Sequence, residues 1–287
     1  MAGFRTAAAA QRAIVDEGKY TYFTWRKTPA VVTTSGVWID LSMIPGNPIP
    51  NYYANAPLIA AALSGNEGLF VGGAVDPSSK HLHQITVASS SATGLPVTLL
   101  LCDYLLYYPF VDQGSTDAQV MTNTVTLPRY ADGGGVQMMA VLQAPQTGGQ
   151  SFFVTYTNQD GVAGRTSETV TCNTANVNGT LVTAATLGPT GRCAGPFIPL
   201  QSGDSGVRAV ESVTMLGTDV GLMAIVLVKP LVTTRVQEQI AANERDYVKD
   251  FFSAPRIYDG AYLNLLCLPS GSLSGVTLIG SLATMWT

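Results

Sequence analysis

The residues with the clearest potential for chemistry form the short sequence Gly203-Asp204-Ser205-Gly206. A serine hydroxyl becomes a nucleophile when a histidine accepts its proton and a buried carboxylate orients that histidine. The chain has two histidines, His81 and His83, and either Asp103 or Asp112 could supply the carboxylate. In chain order a histidine comes first, an aspartate second and the serine third. These residue types raise the hypothesis of a serine hydrolase.

The motif resembles the nucleophile loop of chymotrypsin-like serine proteases, which are β proteins with the same order of catalytic residues. This chain departs from that family at two places. Val207 stands where the family usually has a second glycine, and the histidines lie in Ser78-Ser79-Lys80-His81-Leu82-His83 rather than in Ala-Ala-His-Cys. A hairpin or bulge that enters a strand at 207–215 is the favoured interpretation. We therefore predict no enzymatic activity and no catalytic residues, and keep a hydrolase that uses Ser205 as an alternative.

Metal ligands are also considered, because His81 and His83 would project from one face of a strand. Such a pair needs a third ligand, and no spacing in the sequence marks one. The four cysteines contain no Cys-x-x-Cys pair, which argues against zinc; they are Cys102, Cys172, Cys193 and Cys267. We expect buried thiols and no metal, while a disulfide between Cys172 and Cys193 stays open.

Two further segments have a composition that suggests binding. The tyrosine-rich Tyr104-Leu105-Leu106-Tyr107-Tyr108-Pro109-Phe110 could stack on carbohydrate. Its alternation, however, is typical of a strand packed in a core or an interface, and no acidic pair accompanies it.

Asp132-Gly133-Gly134-Gly135 is followed by neither Lys-Ser/Thr nor a helix, so it predicts a turn rather than a phosphate loop. No cofactor is predicted.

The composition limits the class of protein. Of the 287 residues 46% are hydrophobic and only 12% are charged, about half of the ordinary charged share. The longest clean apolar run, 221–228, is too short for a spanning helix, and the apolar content is too high for disorder. The net charge of −4 without a basic tract argues against direct nucleic-acid binding. Residues 3–14 lack the pattern of a signal peptide. These exclusions leave a folded protein whose uncharged surface contacts partner subunits.

Local patterns predict a mainly β chain: an antiparallel β-sandwich or jelly-roll-like body, with a barrel as the alternative. Alanine-rich residues 3–17 predict a short helix that ends near Gly18. Tyr20 to Trp25 alternate as a strand does, and the prolines from Pro45 to Pro57 predict an extended strap. Further strands are predicted near 82–88, 96–107, 121–127, 135–143, 151–157, 165–172, 207–215, 220–228, 261–268 and 275–280.

The predicted organisation has three parts. Residues 1–64 form the N-terminal helix and extended proline-rich arm, and residues 65–175 form a β-sandwich. Residues 176–287 form a second β-rich part with a short helical insert near 233–252. Whether the late strands complete the same sandwich or build a second domain stays open at this stage.

Several segments resemble stretches of structural proteins of tailed double-stranded DNA bacteriophages. They are Trp38-Ile39-Asp40-Leu41-Ser42-Met43-Ile44-Pro45-Gly46-Asn47-Pro48 with Pro50-Asn51-Tyr52-Tyr53, Thr126-Leu127-Pro128-Arg129-Tyr130, Phe153-Val154-Thr155-Tyr156-Thr157-Asn158-Gln159, the run 199–213 and the run 221–231. Together they cover about a third of the chain. Virion context defines this family more than a motif does, so the resemblance carries over no active residues.

The resemblance implies a virion protein, made in the host bacterial cytoplasm, and the accessory head type is favoured. Such a decoration or cement protein is commonly a β-sandwich assembled as a homotrimer on the major capsid protein, without contact to nucleic acid or membrane. A tail component or a receptor- or glycan-binding module is the alternative. The low charge and the many Tyr and Met residues agree with broad protein–protein contacts. We expect residues 1–60 to carry the docking contacts.

Overall fold

The computed structural model describes residues 4, 6–65, 67–182, 195–239, 241–249 and 254–287. It is mainly β, with helix α1 (Ala7–Val15) and a turn of 3-10 helix at Leu41–Met43. In chain order the strands are β1 (Tyr20–Lys27), β2 (Ile39–Asp40), β3 (Gly46–Asn47), β4 (Ala61–Ala62), β5 (Lys80–Ser89), β6 (Val97–Asp112), β7 (Gln119–Val120), β8 (Gln137–Ala144), β9 (Ser151–Asn158), β10 (Arg165–Thr166), β11 (Val170–Thr171), β12 (Val207–Met215), β13 (Leu222–Val236), β14 (Asn243–Asp246), β15 (Arg256–Ile257), β16 (Leu263–Pro269) and β17 (Leu278–Trp286).

Helix α1 forms where the alanine content predicts it, between Thr6 and Asp16. The Thr6 hydroxyl accepts a hydrogen bond from the Ala9 N–H at 3.1 Å, which caps the free amide groups of the first turn. Ala10 and Ala13 are buried, and the helix packs against β17 of its own chain. Small side chains allow this close approach, and the chain's own sheet occupies the space beside the buried alanines.

The strands form three antiparallel sheets. The terminal sheet, which holds both ends of the chain, has the order β14-β5-β17-β1-β3, with β15 also paired to β5. The central sheet has the order β2-β16-β6-β13-β8, with β4 also on β6. The distal sheet has the order β10-β9-β12-β7, with β11 also on β9. The predicted antiparallel, sandwich-like β body is confirmed.

The central sheet is built on two long strands, β6 of 16 residues and β13 of 15 residues. They pair from Leu222 opposite Asp112 to Val236 opposite Val97, with three register shifts. Proline lacks the N–H that a sheet interior requires, so it is tolerated at such irregularities. Pro109 in β6 and Pro230 in β13 both lie at or beside a register shift. With these shifts, β6 and β13 stay paired over a length that packs against two different sheets.

Each half of the central sheet packs against a different sheet. Val97, Leu99 and Leu101, in the first half of β6, join the core shared with the terminal sheet. The second half of β6, around Tyr108, joins the core shared with the distal sheet. The opposite face of the central sheet is covered by the proline-rich strap, where Tyr53 is fully buried in a third cluster. The strap thus lies on its own chain.

Strands from the last third of the chain pair with strands from the first two thirds in every sheet. β17 pairs with β5, β13 with β6, and β12 with β9. This pairing favours the alternative in which the late strands complete the sheets begun by the early ones. The boundaries near residues 64 and 175 stay predictions.

Two predicted elements are wrong. The helical insert at 233–252 is replaced by the end of β13, by β14 and by turns among its described residues. Thr233 to Val236 alternate between exposed and buried positions, and the β-branched side chains of Thr233, Thr234 and Val236 suit a strand better than a helix. The strand at 121–127 is reduced to β7 at 119–120, because Thr122 exchanges backbone hydrogen bonds with Leu58 and Ala60 instead.

Candidate functional site

The structure places the serine-hydrolase candidates in separate environments. Asp103 lies inside the central sheet, and its carboxylate accepts hydrogen bonds from the Arg129 Nε and Nη2 at 2.9 and 2.7 Å. Asp112 ends β6, where its carboxylate accepts from the Gly114 N–H at 2.8 Å. Ser205 is exposed beside the distal sheet, and both histidines lie on β5 of the terminal sheet. The three residue types do not meet in one site.

The aspartate of the Gly203–Gly206 motif holds a structural network instead. The Asp204 carboxylate accepts from the Tyr156 hydroxyl at 2.6 Å and from the Asn158 amide at 2.8 Å. It also forms an ion pair with Arg165, with 2.9 Å between Nε and Oδ2. A carboxylate bound in this way ties the loop to β9 and β10 of the distal sheet.

The two glycine-rich motifs of the sequence pack against each other. Gly206 forms a bridge with Gly134, and a Cβ built on Gly206 would lie 2.0 Å from the Gly133 carbonyl oxygen. The Gly135 N–H donates to the Ser205 carbonyl at 3.1 Å. No side chain fits such a backbone approach, so glycine is required there. The turn predicted for 132–135 is present, and its partner is the loop that resembled a nucleophile loop.

The tyrosine-rich segment lies inside the protein, so carbohydrate stacking on it is wrong. Tyr104 and Tyr108 are fully buried on β6, and Tyr107 is nearly so. The Tyr108 hydroxyl donates to the Asn123 side-chain oxygen at 2.8 Å and accepts from the Val210 N–H at 3.1 Å. Buried tyrosines need such partners for their hydroxyls. The segment is core.

The two histidines have separate local partners on β5. The His81 Nδ1 lies 3.2 Å from the Ala254 carbonyl oxygen, and the His83 Nε2 lies 3.5 Å from Asp246 Oδ1. Burial lowers the pKa of both imidazoles below the ordinary value, which favours their neutral form. Within the part of the chain that the structure describes, no group of three His, Cys, Asp or Glu side chains is placed to hold a metal.

A buried carboxylate anchors the strap to the central sheet. Asp40 is fully buried and accepts hydrogen bonds from the Ser42 N–H and the Ser42 hydroxyl, both at 2.8 Å. It also accepts from the Tyr104 hydroxyl at 2.7 Å and from the Tyr53 hydroxyl. Burial raises the pKa of Asp40, while these four donors favour the ionised form. The network joins the strap, through Tyr53, to β6, through Tyr104.

Lys27 holds the other side of the strap. Its side chain is fully buried at the end of β1, and Nζ donates to the Ile44 and Pro48 carbonyl oxygens at 3.0 and 2.8 Å. Burial lowers the pKa of the ammonium group to about 8, although the nearby Asp40 carboxylate acts in the opposite direction. The charge of Lys27 is therefore sensitive to mildly alkaline pH.

Stability should rise between pH 8 and pH 10 because of Lys27. The unfolded lysine binds its proton up to about pH 10.4, so above pH 8 the unfolded state holds more protons than the folded state, and deprotonation favours folding. We expect a gain of up to about 1.4 kcal/mol per pH unit. Urea unfolding at pH 7.5 and 9.5 measures it. In Lys27→Met this component should vanish, and parallel pH profiles for both proteins would contradict the assignment.

An apolar groove of about 630 Å³ lies along β1, next to the strap. Its lining comes from β1, from residues 47–49 of the strap and from residues 67–70. Ile49 is 70% exposed, Tyr22 53% and Phe70 39%. The rings of Phe23 and Phe70 meet edge to face at 4.4 Å, so the two sides of the groove contact each other at its floor. Large apolar side chains gathered at a surface mark an interaction site.

The backbone of β1 faces this groove at alternate residues. Along a strand, the N–H and C=O groups of successive residues point to opposite edges. The Trp286 N–H donates to the Lys19 carbonyl, so odd-numbered residues bond toward β17. The Thr28 N–H donates to the Pro45 carbonyl, so even-numbered residues bond toward β3.

β3 covers only the last part of this edge. It pairs with Arg26 and Lys27 and ends there. Tyr22 and Thr24 therefore direct their backbone groups into the groove, where the Asn47 side-chain amide donates a long hydrogen bond of 3.5 Å to the Thr24 carbonyl oxygen. An edge with open backbone groups beside apolar side chains can accept an extended segment as an added strand. We call this feature, defined by Tyr22, Phe23, Thr24, Ile49 and Phe70, the β1-edge groove.

Sequence patterns identified β1 as a strand but did not reveal this groove. The alternation from Tyr20 to Trp25 is the same for an edge and for a central strand. Ile49 lay in a segment predicted only as a strap, and Phe70 had no prediction at all. A large apolar residue between prolines, as at Ile49, was the one available signal.

Comparisons with known proteins do not assign this chain to a family. None of the described helices has the length and apolar character needed to cross a membrane. No protein-family model, curated protein or solved structure matches the chain.

Proposed function

We propose that this chain is a structural protein of a tailed-phage virion, of the accessory head type that decorates and cements the shell. The resemblance of about a third of the sequence to virion proteins supports the proposal. So do the mainly β body and the low charge, which suit a subunit that works through broad surfaces. As a virion component it binds copies of itself and the major capsid protein after synthesis in the host bacterial cytoplasm.

The observation that carries the proposal is the β1-edge groove. An added strand gains main-chain hydrogen bonds from the edge and specificity from side chains in the groove. Tyr22 and Thr24 offer the backbone groups, and Ile49 and Phe70 offer the apolar walls. All but Phe70 fall within residues 1–60, where docking contacts are expected. Ala10 and Ala13 of α1 and Tyr53 of the strap are buried within the chain itself.

The first test is the mass of the purified protein in solution, measured by light scattering with and without empty phage heads. The proposal predicts a stable trimer that binds the heads. A monomer that does not bind heads would overturn the head assignment and favour a tail component.

Docking should depend on the apolar walls of the β1-edge groove. In Ile49→Lys and in Phe70→Ser we expect binding to heads to weaken at least tenfold. A buried charge opposes the contact in Ile49→Lys, and Phe70→Ser removes apolar area. Both side chains are partly or largely exposed, so melting temperature should change little. Binding is measured by co-sedimentation with heads.

The matched control is Val220→Lys, at an apolar residue that is 61% exposed in the turn before β13. Its binding should equal that of the wild type. Equal loss in Val220→Lys and Ile49→Lys would assign the effect to surface charge in general, and full binding by both groove variants would remove the groove from the docking contact.

A further inference from the structure

A second cleft, separate from the β1-edge groove, opens between the start of β5, the loop 128–132 and the turn after β15. Its volume is about 650 Å³. Two tyrosines, Tyr130 and Tyr258, stand in it with their rings edge to face at 4.8 Å. The Arg256 guanidinium lies over the Tyr258 ring, 4.4 Å from its centre. These contacts hold the aromatic side chains in fixed positions before any ligand arrives.

Three cationic side chains and three aspartates line the cleft, but only two of the cations form ion pairs among the described residues. Lys80 is bound by Asp259, with 3.1 Å between Nζ and Oδ1, and it donates to the Gly73 carbonyl at 2.7 Å. Arg129 is bound by Asp103 in the interior. The cations of these two pairs are thus satisfied by the protein itself.

Arg256 differs from these two cations. Within the described residues its buried Nε has no hydrogen-bond partner and its guanidinium forms no ion pair. A buried donor without an acceptor costs about 1–3 kcal/mol. Asp76 and Asp132 line the same cleft, and the Asp132 carboxylate accepts a hydrogen bond from the Gly134 N–H at 3.3 Å. The lining thus combines a guanidinium that forms no ion pair among the described residues with two aspartates and a pair of aromatic rings.

This combination selects among ligand classes. An anion that satisfied Arg256 would meet the carboxylates of Asp76 and Asp132, and a cation would meet Arg256 and Lys80. A neutral ligand avoids both conflicts if it accepts and donates at neighbouring atoms. Hydroxyl groups do both, and the apolar face of a sugar ring packs on tyrosine as other apolar groups do.

We propose that this cleft binds a neutral saccharide, with Arg256 donating to one hydroxyl, Asp76 and Asp132 accepting from others, and Tyr258 and Tyr130 packing against the ring. The left-handed backbone of Tyr130, with φ of 53°, agrees with a functional position, because non-glycine residues adopt it at a cost. The site is independent of the docking surface, so either proposal can fail alone.

Ligand-detected saturation-transfer NMR on the full chain tests it, with lactose, maltotriose, mannobiose and chitotriose at millimolar concentration. Sialyllactose is the charged comparison in the same experiment, and inorganic phosphate, which has no carbon-bound protons, is followed by the broadening of its phosphorus NMR line. We expect at least one neutral probe to bind, with affinity at least tenfold weaker in Arg256→Gln and in Tyr258→Ala. The controls Arg235→Gln and Tyr52→Ala, both at exposed positions outside the cleft, should bind as the wild type does.

Three outcomes would overturn the proposal: no neutral probe binds, only sialyllactose or phosphate binds, or affinity is unchanged in Arg256→Gln and Tyr258→Ala. Asp132→Asn guards against a variant that fails to fold. It keeps the shape of an exposed side chain and should also weaken the neutral probe, without lowering the melting temperature.

Discussion

Replacing Arg129 with methionine should lower the free energy of unfolding by about 3–5 kcal/mol, the usual cost of leaving a buried charge unpaired. Both members of the Arg129–Asp103 pair are almost fully buried. The guanidinium also donates to the carbonyl oxygens of Leu63, Tyr104 and Gly260 at 2.9–3.0 Å. One side chain thus joins its own loop and β6 to the segments at Leu63 and Gly260. Burial raises the pKa of Asp103, and removal of Arg129 takes away the hydrogen bonds that oppose that rise.

Urea unfolding followed by intrinsic fluorescence measures this loss. In the double variant Arg129→Met with Asp103→Leu, the destabilisation should be smaller than the sum of the single ones, because the orphaned charge is removed with its partner. Lys19→Met, which breaks the exposed pair with Glu17, should cost less than about 1 kcal/mol. Additive losses in the double variant would show that Arg129 acts through packing and not through the pair.

Replacing Asp40 with leucine should destabilise the protein by a similar amount, about 3–5 kcal/mol. The change leaves the Tyr104 hydroxyl and the Ser42 N–H without their acceptor in the interior. The hydroxyls of Tyr53 and Ser42 also lose Asp40, but they can still hydrogen-bond to each other, being 2.7 Å apart. Each unmet donor costs about 1–3 kcal/mol. Because Tyr53 holds the strap, we expect the strap to loosen before the rest of the protein unfolds.

Limited proteolysis separates loosening of the strap from global unfolding. In Asp40→Leu we expect cleavage within residues 45–57 at urea concentrations where the wild type resists. Tyr53→Phe, which removes one hydroxyl, should have a smaller effect of about 1 kcal/mol. Tyr52→Phe is the matched control, since that tyrosine is 56% exposed, and it should behave as the wild type. A strap that stays protected in Asp40→Leu would contradict the anchor.

Much of the fold follows from local patterns. The alternation at 207–215 predicts β12 to the residue, and 151–157 predicts β9 within one residue. The alanines before Gly18 predict α1, and the prolines from Pro45 to Pro57 predict an extended segment that, apart from β3, lies outside the sheets. These predictions succeed because alternation, helix propensity and the missing proline N–H act within a few neighbouring residues.

The predictions that fail depend on distant residues. The segment after Thr233 has polar side chains and spaced apolar residues, which suit a helix, yet it pairs with β6 through Val236. The sequence of Tyr104, Tyr107 and Tyr108 suits a binding face as well as a core. The strap covers Tyr104 and Tyr107, and the distal sheet covers Tyr108. The alanine face of α1 meets β17, a strand more than 260 residues later in the chain.

The sequence by itself determined that this protein is mainly β, where its longer strands lie, and which segment crosses a surface as a strap. Only the tertiary structure decided that Asp204 binds Arg165 while Asp103 binds Arg129, so that Ser205, the two histidines and Asp103 do not meet in one site. It also decided that β3 pairs with β1 only at Arg26 and Lys27, which leaves the rest of that edge of β1 open. In the same way, only the tertiary structure leaves Arg256 without an ion pair among the described residues. The physical reason is that ion pairs, sheet edges and clefts arise from segments far apart in the chain, whereas side-chain periodicity records only the conformation of each segment.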